Sequence, residues 1–355
     1  MRIAVSAEAF YPATDADTRT VKALVDHLVD AGHDVLVLAP APGLADYRGC
    51  TVARITLREG RGVQVREALV GFGADALVAV SPTKVGRKAL KHARKLGVRT
   101  LVLQASPVST VDAEVWSRTV APRADRLVVT AGWMVDRCAA LGASSAVHWQ
   151  PGVDARGFTP AVRDDYLHGS FARARAKGGP RVVVGHAGAL KRRHGVRRLV
   201  DVARVPGGRL VVIGEGAQKA WLAAQVDDAR LTGHLSDTEL AVALASLDVL
   251  VQPSEVETCA HLLRAGMASG LAVVAPAAGA AAEIVRHGET GLLYDPADPA
   301  ALRRSVARLV AEADLRERLG HAAREDALTR DWTSALTELV EAHLAPCVAA
   351  AGTAA

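Results

Sequence analysis

Arg2-Ile3-Ala4-Val5-Ser6-Ala7 opens the chain, a polar stretch runs from Pro12 to Arg19, and Val21, Leu24, Val25 and Leu28 follow. Then come Gly32 and Asp34-Val35-Leu36-Val37-Leu38-Ala39. These forty residues decide the fold class. The first run has no polar alternation, the mark of a strand covered on both faces. The four apolar residues fall at i, i+3, i+4 and i+7, one stripe of a helix. Gly32 stops that helix, because glycine takes the left-handed conformation without a Cβ clash. Residues 34–39 form a second strand. Strand, helix, strand in so short a span is a βαβ unit, which requires a parallel pair and a right-handed crossover.

The same rhythm continues outward. Strands are expected at 76–80, 100–103, 126–130 and 146–149, with helices at 84–96 and 134–141 ending at Gly97 and Gly142. Residues 151–178 break the pattern with Pro151, Pro160, Gly169 and Gly178-Gly179-Pro180, and read as a linker. A second series follows: strands at 181–186, 209–214, 248–252 and 272–275, and helices at 218–225 and 237–245. The tail reads as helices at 299–312, 313–326 and 333–344, and the last residues, 349–355, as disordered. The expected fold class is α/β, two doubly wound Rossmann-like domains. The domains span 1–165 and 176–330, with a helix at 331–348 packing back toward the first.

Composition narrows the function. Of 355 residues, 50% are hydrophobic and 23% charged, which suits two cores and argues against disorder. Lys+Arg 43 against Asp+Glu 38 gives +5, too mild for a nucleic-acid tail, and 4% aromatics leave no base-stacking platform. Cys50, Cys138, Cys259 and Cys347 lie far apart, so neither a disulfide scaffold nor a zinc ribbon is expected, and a reducing compartment is. No stretch approaches 18 strongly apolar residues, and Met1-Arg2-Ile3-Ala4-Val5 runs straight into a strand rather than a signal peptide. The expected location is cytoplasmic.

One segment is more specific than the rest. It reads Gln252-Pro253-Ser254-Glu255-Val256-Glu257-Thr258, then Gly266-Met267-Ala268-Ser269-Gly270-Leu271-Ala272-Val273-Val274-Ala275-Pro276. It goes on through Gly279, Glu283-Ile284-Val285, Gly288, Thr290-Gly291-Leu292-Leu293 and Pro296. This closely resembles the C-terminal domain of family 4 retaining glycosyltransferases with the GT-B fold. Glu8 to Pro12, Gly32-His33-Asp34-Val35, Gly152-Val153-Asp154 and Gly214-Glu215-Gly216 agree with it, and the resemblance covers roughly residues 1–345. Within the family the chain is most similar to actinobacterial enzymes that transfer mannose from GDP-mannose to a lipid or glycan. The resemblance implies a nucleotide sugar held by the C-terminal domain and facing an interdomain cleft, with the acceptor hydroxyl coming from the N-terminal side. Charge building on the leaving diphosphate needs cations, backbone N–H groups or a helix N-terminus. No Asp/Glu/His ligand cluster is visible, so neither a metal nor another cofactor is expected.

The sequence departs from the family at chemical positions. The resemblance implies an Arg and, five residues on, a Lys against the diphosphate; Ala189 and His194 stand there. Gly188, Lys191, Arg192 and Arg193 surround these positions, and the three cations are expected to supply the missing charge, unless they form only a solvated loop. Of two family glutamates, Glu257 matches the one that holds the sugar hydroxyls and is the candidate catalytic residue. Ala265 stands at the ribose-binding position. Cys259-Ala260 replaces a Phe-Gly-like element between them, and Cys259 is expected to be a small buried hydrophobe. Glu215, Thr258 and Leu262 complete the expected donor site. In the N-terminal half, Asp15-Ala16-Asp17 occupies the loop that usually approaches the diphosphate through glycine, where two carboxylates would repel it. Ser106 lies where relatives carry a charged group near the reaction centre.

Lys84, Arg87, Lys88, Lys91, Arg94, Lys95 and Arg99 fall in sixteen residues without an acid. They suggest a peripheral contact with anionic lipid through 84–99, against the plainer alternative of a solvated helix. Gly214-Glu215-Gly216 lacks the spacing of a dinucleotide fingerprint, so an oxidoreductase is not supported. Two functions remain open: a retaining hexosyltransferase, or a catalytically degenerate GT-B protein that binds or scaffolds.

Overall fold

Runs such as Ala76–Val80 expose no polar edge on either face, so they must lie between layers. The computed structural model, which describes residues 1–13, 16–57, 60–173 and 179–349, covers them with helices. The contacts divide the chain into two units: Met1–Pro151 together with the segment from Trp332 onward, and Gly152–Asp331.

In the first unit the strands are β1 (Arg2–Ser6), β2 (Asp34–Pro40), β3 (Asp46–Tyr47), β4 (Cys50–Ile55), β5 (Ala76–Val80), β6 (Arg99–Gln104), β7 (Arg126–Val129) and β8 (Val147–His148). Their order is β3-β4-β2-β1-β5-β6-β7-β8. All pairs are parallel except β3 with β4. The chain winds outward in both directions from β1 and β5, which makes their carboxyl ends a topological switch point. Helices Ala16–Asp30, Arg61–Phe72 and Gly86–Lys95 belong to this unit.

The second unit holds β9 (Val182–Ala187), β10 (Gly208–Ile213), β11 (Arg230–Gly233), β12 (Val249–Val251), β13 (Ala272–Pro276) and β14 (Leu292–Tyr294). All run parallel in the order β11-β10-β9-β12-β13-β14, with the switch point between β9 and β12. Val184, Leu210, Val212, Val249 and Val251 pack with Leu302, Leu309, Leu315 and Leu319 in one buried cluster. Each such side chain contributes roughly 1.5–3 kcal/mol of transfer free energy.

The expected boundary at 165 moves to Pro151, and residues 152–165 belong to the second unit. Arg324 reaches back to the carbonyls of Ala155 (3.1 Å) and Phe158 (2.8 Å). Arg163 binds those of Ala245 and Leu247, each at 3.1 Å. The stretch read as a linker is therefore built into this unit, and it includes the helix Asp165–Ala172. Arg209 caps that helix through the carbonyls of Ser170 (3.0 Å) and Phe171 (2.6 Å).

The tail is the helix Trp332–Glu338, a wider π-type turn at Leu339–Leu344, and Ala345–Ala349, where one helix was expected over 333–344. Trp149 Nε1 donates to Ala335 O at 2.8 Å, and Arg126 meets His343 Nδ1 at 2.9 Å. Residues 350–355 and Asp15 lie outside the described residues. No described helix is long and apolar enough to cross a membrane.

Candidate functional site

Ligands of parallel sheets settle beyond the carboxyl ends of the strands at a switch point. In the second unit β9 leads there into Gly188-Ala189-Leu190, and β12 into Gln252-Pro253-Ser254. Two glycines fix this loop. Gly214 has φ +139°, and a Cβ on it would lie 2.0 Å from Gly188 O. Gly195 has φ +68°, and its Cβ would lie 2.4 Å from Pro253 O. Larger residues would push the two loops apart. Leu190 N donates to Glu215 O at 2.8 Å, which ties the loop to the end of β10.

The short 3-10 turn Arg192–His194 carries His194 over the strand ends. His194 Nδ1 lies 3.3 Å from Glu257 Oε1 and 3.4 Å from Ser254 Oγ. Arg193 Nε donates to His194 Nε2 at 3.3 Å, so the ring proton sits on Nδ1 and points at the carboxylate. Burial opposes the Glu257 charge, but the hydrogen bonds from His194 and Ser254 outweigh it and hold the carboxyl below the ordinary glutamate range. Gly279, whose added Cβ would meet Glu255 O at 2.7 Å, lets the backbone close on this loop.

His186 lies beneath the loop, 2% exposed. Its Nδ1 is 3.0 Å from Val251 O and must donate to it, while its Nε2 is buried without a hydrogen-bond partner among the described residues. Burial pushes the ring down to about 4, so it is neutral at physiological pH. Leu262 Cδ1 and His186 Nε2 border the place where a Cβ on Gly188 would lie, at 3.6 and 3.7 Å.

Ala260 precedes the helix His261–Ala268 with φ 47° and ψ 40°, a left-handed conformation carried by a residue with a Cβ. Arg264, buried, donates Nε to Cys259 O at 3.3 Å and steadies that corner. Cys259 is itself buried.

The structure thus gathers Gly188, Arg193, His194, Glu257 and Leu262 around one switch point, with Thr258 buried next to Glu257. Others lie apart from this cluster. Lys191 and Arg192 are exposed, and their side chains make no hydrogen bond or ion pair among the described residues. The Glu215 carboxylate pairs with Lys219, and only its carbonyl holds the loop. Ala189 is exposed and Ala265 buried.

In the first unit Ala16 begins the helix Ala16–Asp30, and the Asp17 carboxylate accepts from Ser106 Oγ at 2.9 Å. Asp17 is therefore held by a local hydroxyl. Among the described residues no three His, Cys, Asp or Glu side chains are grouped to hold a metal ion.

Residues 171–326 match the model of the glycosyl transferases group 1 family. Over 368 residues the chain is 33% identical to a GDP-mannose-dependent alpha-mannosyltransferase of Mycolicibacterium smegmatis, covering 96% of each. The chain belongs to the group 1 glycosyltransferases. A group 1 relative of the same description from Mycobacterium tuberculosis is 31% identical, covering 96% of this chain and 95% of the other. Among solved structures, sucrose-phosphate synthase from Thermosynechococcus elongatus superposes with a TM-score of 0.80 at 19% identity, covering 96% and 98%. HepE from Anabaena, in complex with UDP-glucose, gives 0.82 at 17%, covering 96% and 99%. The fold of this glycosyltransferase is GT-B.

Sequence reasoning passed over His186 and Ser254. One signal was present: a histidine ending the run Val182-Val183-Val184-Gly185, in a strand covered on both faces. A polar ring there needs partners on both nitrogens.

Proposed function

We propose that this group 1 glycosyltransferase transfers mannose from GDP-mannose to a hydroxyl of a lipid or glycan, with retention at the anomeric carbon. The observation that carries the reading is the ionised Glu257, paired with His194 and Ser254 at the β9/β12 switch point, in a chain one-third identical to enzymes described as GDP-mannose-dependent. A carboxylate kept charged in a half-buried place is a strong acceptor for sugar hydroxyls. In the reaction the acceptor oxygen bonds to C1 on the face from which the diphosphate oxygen departs. The C1–O bond to GDP breaks, and the acceptor proton passes to the leaving diphosphate. Exposed Lys191, Arg192 and Arg193, next to His194 in the chain, are the cations proposed to answer the growing charge.

A second reading, binding without turnover, has its own support. His194 stands where the resemblance implies a lysine, and its proton is committed to Glu257. The two readings part in one experiment. Thermal stabilisation by millimolar GDP-mannose, UDP-glucose and ADP-glucose reports binding. GDP release in the presence of a lipid-extract acceptor reports turnover, and the anomeric coupling in the product reports retention. Stabilisation by GDP-mannose without GDP release favours the binding protein. No stabilisation by any of the three removes both.

Exposed Lys84, Lys91, Arg94 and Lys95 support a peripheral contact with the inner face of a membrane. The apolar face of that helix, Ala89, Leu90 and Ala93, is buried in its own unit, so the contact would be electrostatic. Binding to anionic vesicles should fall as salt rises; equal binding to neutral vesicles would count against it.

A further inference from the structure

His186 is at odds with its surroundings. A strand covered on both faces ordinarily carries aliphatic side chains, and a buried polar atom without a partner costs free energy that native structures rarely leave unrecovered. One nitrogen is accounted for: Nδ1 donates to Val251 O at 3.0 Å. That bond sets the tautomer and turns the unprotonated Nε2, a pure acceptor, away from the neighbouring strand. Nε2 has no partner among the described residues.

It lies beside Gly188, where a Cβ would fit in ordinary contact, 3.7 Å from Nε2 and 3.6 Å from Leu262 Cδ1. Leu262 is partly buried, and its side chain forms one wall of that place. The ionisable neighbours of the ring are Glu257 and His194, the pair at the centre of the site. A neutral acceptor and an anionic acceptor thus belong to one switch point. Such a combination suits a ligand that brings several hydroxyl donors. A diphosphate, which is all acceptor at neutral pH, would gain nothing from either group.

We propose that His186 Nε2 accepts a hydrogen bond from a ring hydroxyl of the donor sugar, which makes His186 a specificity-determining residue beside Glu257. This rests on the reading of the site as a nucleotide-sugar site. The site would then demand the hydroxyl rather than tolerate it, because a donor lacking it leaves Nε2 unpaired in a closed place.

His186→Asn tests this. Asparagine can keep a donor near the position of Nδ1, for Val251 O, while removing the acceptor at Nε2. Binding of GDP-mannose and of GDP alone is measured by calorimetry on the full chain. GDP-mannose affinity is expected to fall at least tenfold and GDP affinity to stay within twofold. His186→Gln, which restores a polar atom near Nε2, should recover part of the loss even if its melting temperature drops. Among monodeoxy-mannose analogues of GDP-mannose, one should bind wild type and His186→Asn alike. GDP-mannose binding within twofold of wild type in His186→Asn overturns the assignment, as does an equal loss for GDP. Wild-type protein that binds GDP but neither GDP-mannose nor UDP-glucose overturns the underlying site reading, and the assignment with it.

Discussion

The two switch points of this chain have the same topology and treat backbone donors and side-chain acceptors differently. In the first unit, the Glu8 carboxylate beyond β1 accepts four backbone N–H groups beyond β5. They belong to Thr83 (2.7 Å), Lys84 (2.9 Å), Val85 (3.2 Å) and Gly86 (2.8 Å), at the start of the Gly86–Lys95 helix. These are the donors that an incoming anion would otherwise use, and the chain supplies its own. Beside them, Ser81 Oγ accepts from Ala105 N and Ser106 N. In the second unit the corresponding place leaves His186 Nε2 without a partner among the described residues and keeps a carboxylate charged through a histidine and a serine. A fold that offers two crevices does not say which one takes a ligand. The kind of group left over bears on it: the first unit leaves the small hydroxyl of buried Ser6, at the end of β1, without a partner among the described residues, while its anion-ready amides are taken by Glu8.

The largest effect that can break this comparison is Glu8→Ala. With four amides released at once, unfolding of the first unit should become about 4 kcal/mol easier, while nucleotide binding stays unchanged. Denaturant titration alongside GDP calorimetry checks both, and a loss of binding with intact stability would contradict the contrast. Next comes pH. A histidine in the unfolded chain takes up its proton near 6.5, whereas buried His186 does so at about 4. Between these values the unfolded chain holds more protons. Stability therefore falls as pH falls from 6.5 to 4, by roughly 3 kcal/mol, and is level in this respect below 4. His186→Asn should flatten that part of the profile; an unchanged slope would show that another group is responsible.

Glu257→Gln removes the charge but keeps the shape. Affinity for GDP-mannose should drop by about ten- to a hundredfold, the range for one charge-assisted hydrogen bond, with less change for GDP. Equal losses for both would move Glu257 from the sugar to the nucleotide. The smallest effect is Ala260→Gly. It relieves a left-handed alanine and should stabilise the second unit by about 1 kcal/mol in thermal unfolding. A loss of stability would mean that the methyl group is needed for packing.

The fold was legible where burial writes a simple code. The central strands β1, β2 and β5 stand in the sequence as apolar runs, and 76–80 and 237–245 are bounded to the residue. What escaped were elements without that code. In β4, Cys50–Ile55, buried and exposed residues mix next to the short edge hairpin strand β3. The helix Arg61–Phe72 buries only Val65 and Leu69, too little for a stripe. At the site, Glu257 and His194 were found by spacing within a resemblance, and contact between them is a matter of geometry. His186 escaped because an apolar run hides one polar member. Lys191 and Arg192 show the reverse, since a basic run advertises itself whether or not it faces anything.

The second unit begins and ends at one place. Val153 pairs with Asp331 in a parallel bridge, and Val153 N donates to Arg330 O at 3.2 Å. A stretch of about 180 residues is thereby stitched shut at its own base, like a cassette whose two leads share a socket. Its ends lie close enough for a few residues to join them. Residues 152–331 should therefore tolerate excision as a portable fragment, and also a cyclic reordering in which the old ends are linked and new ones opened at an exposed turn.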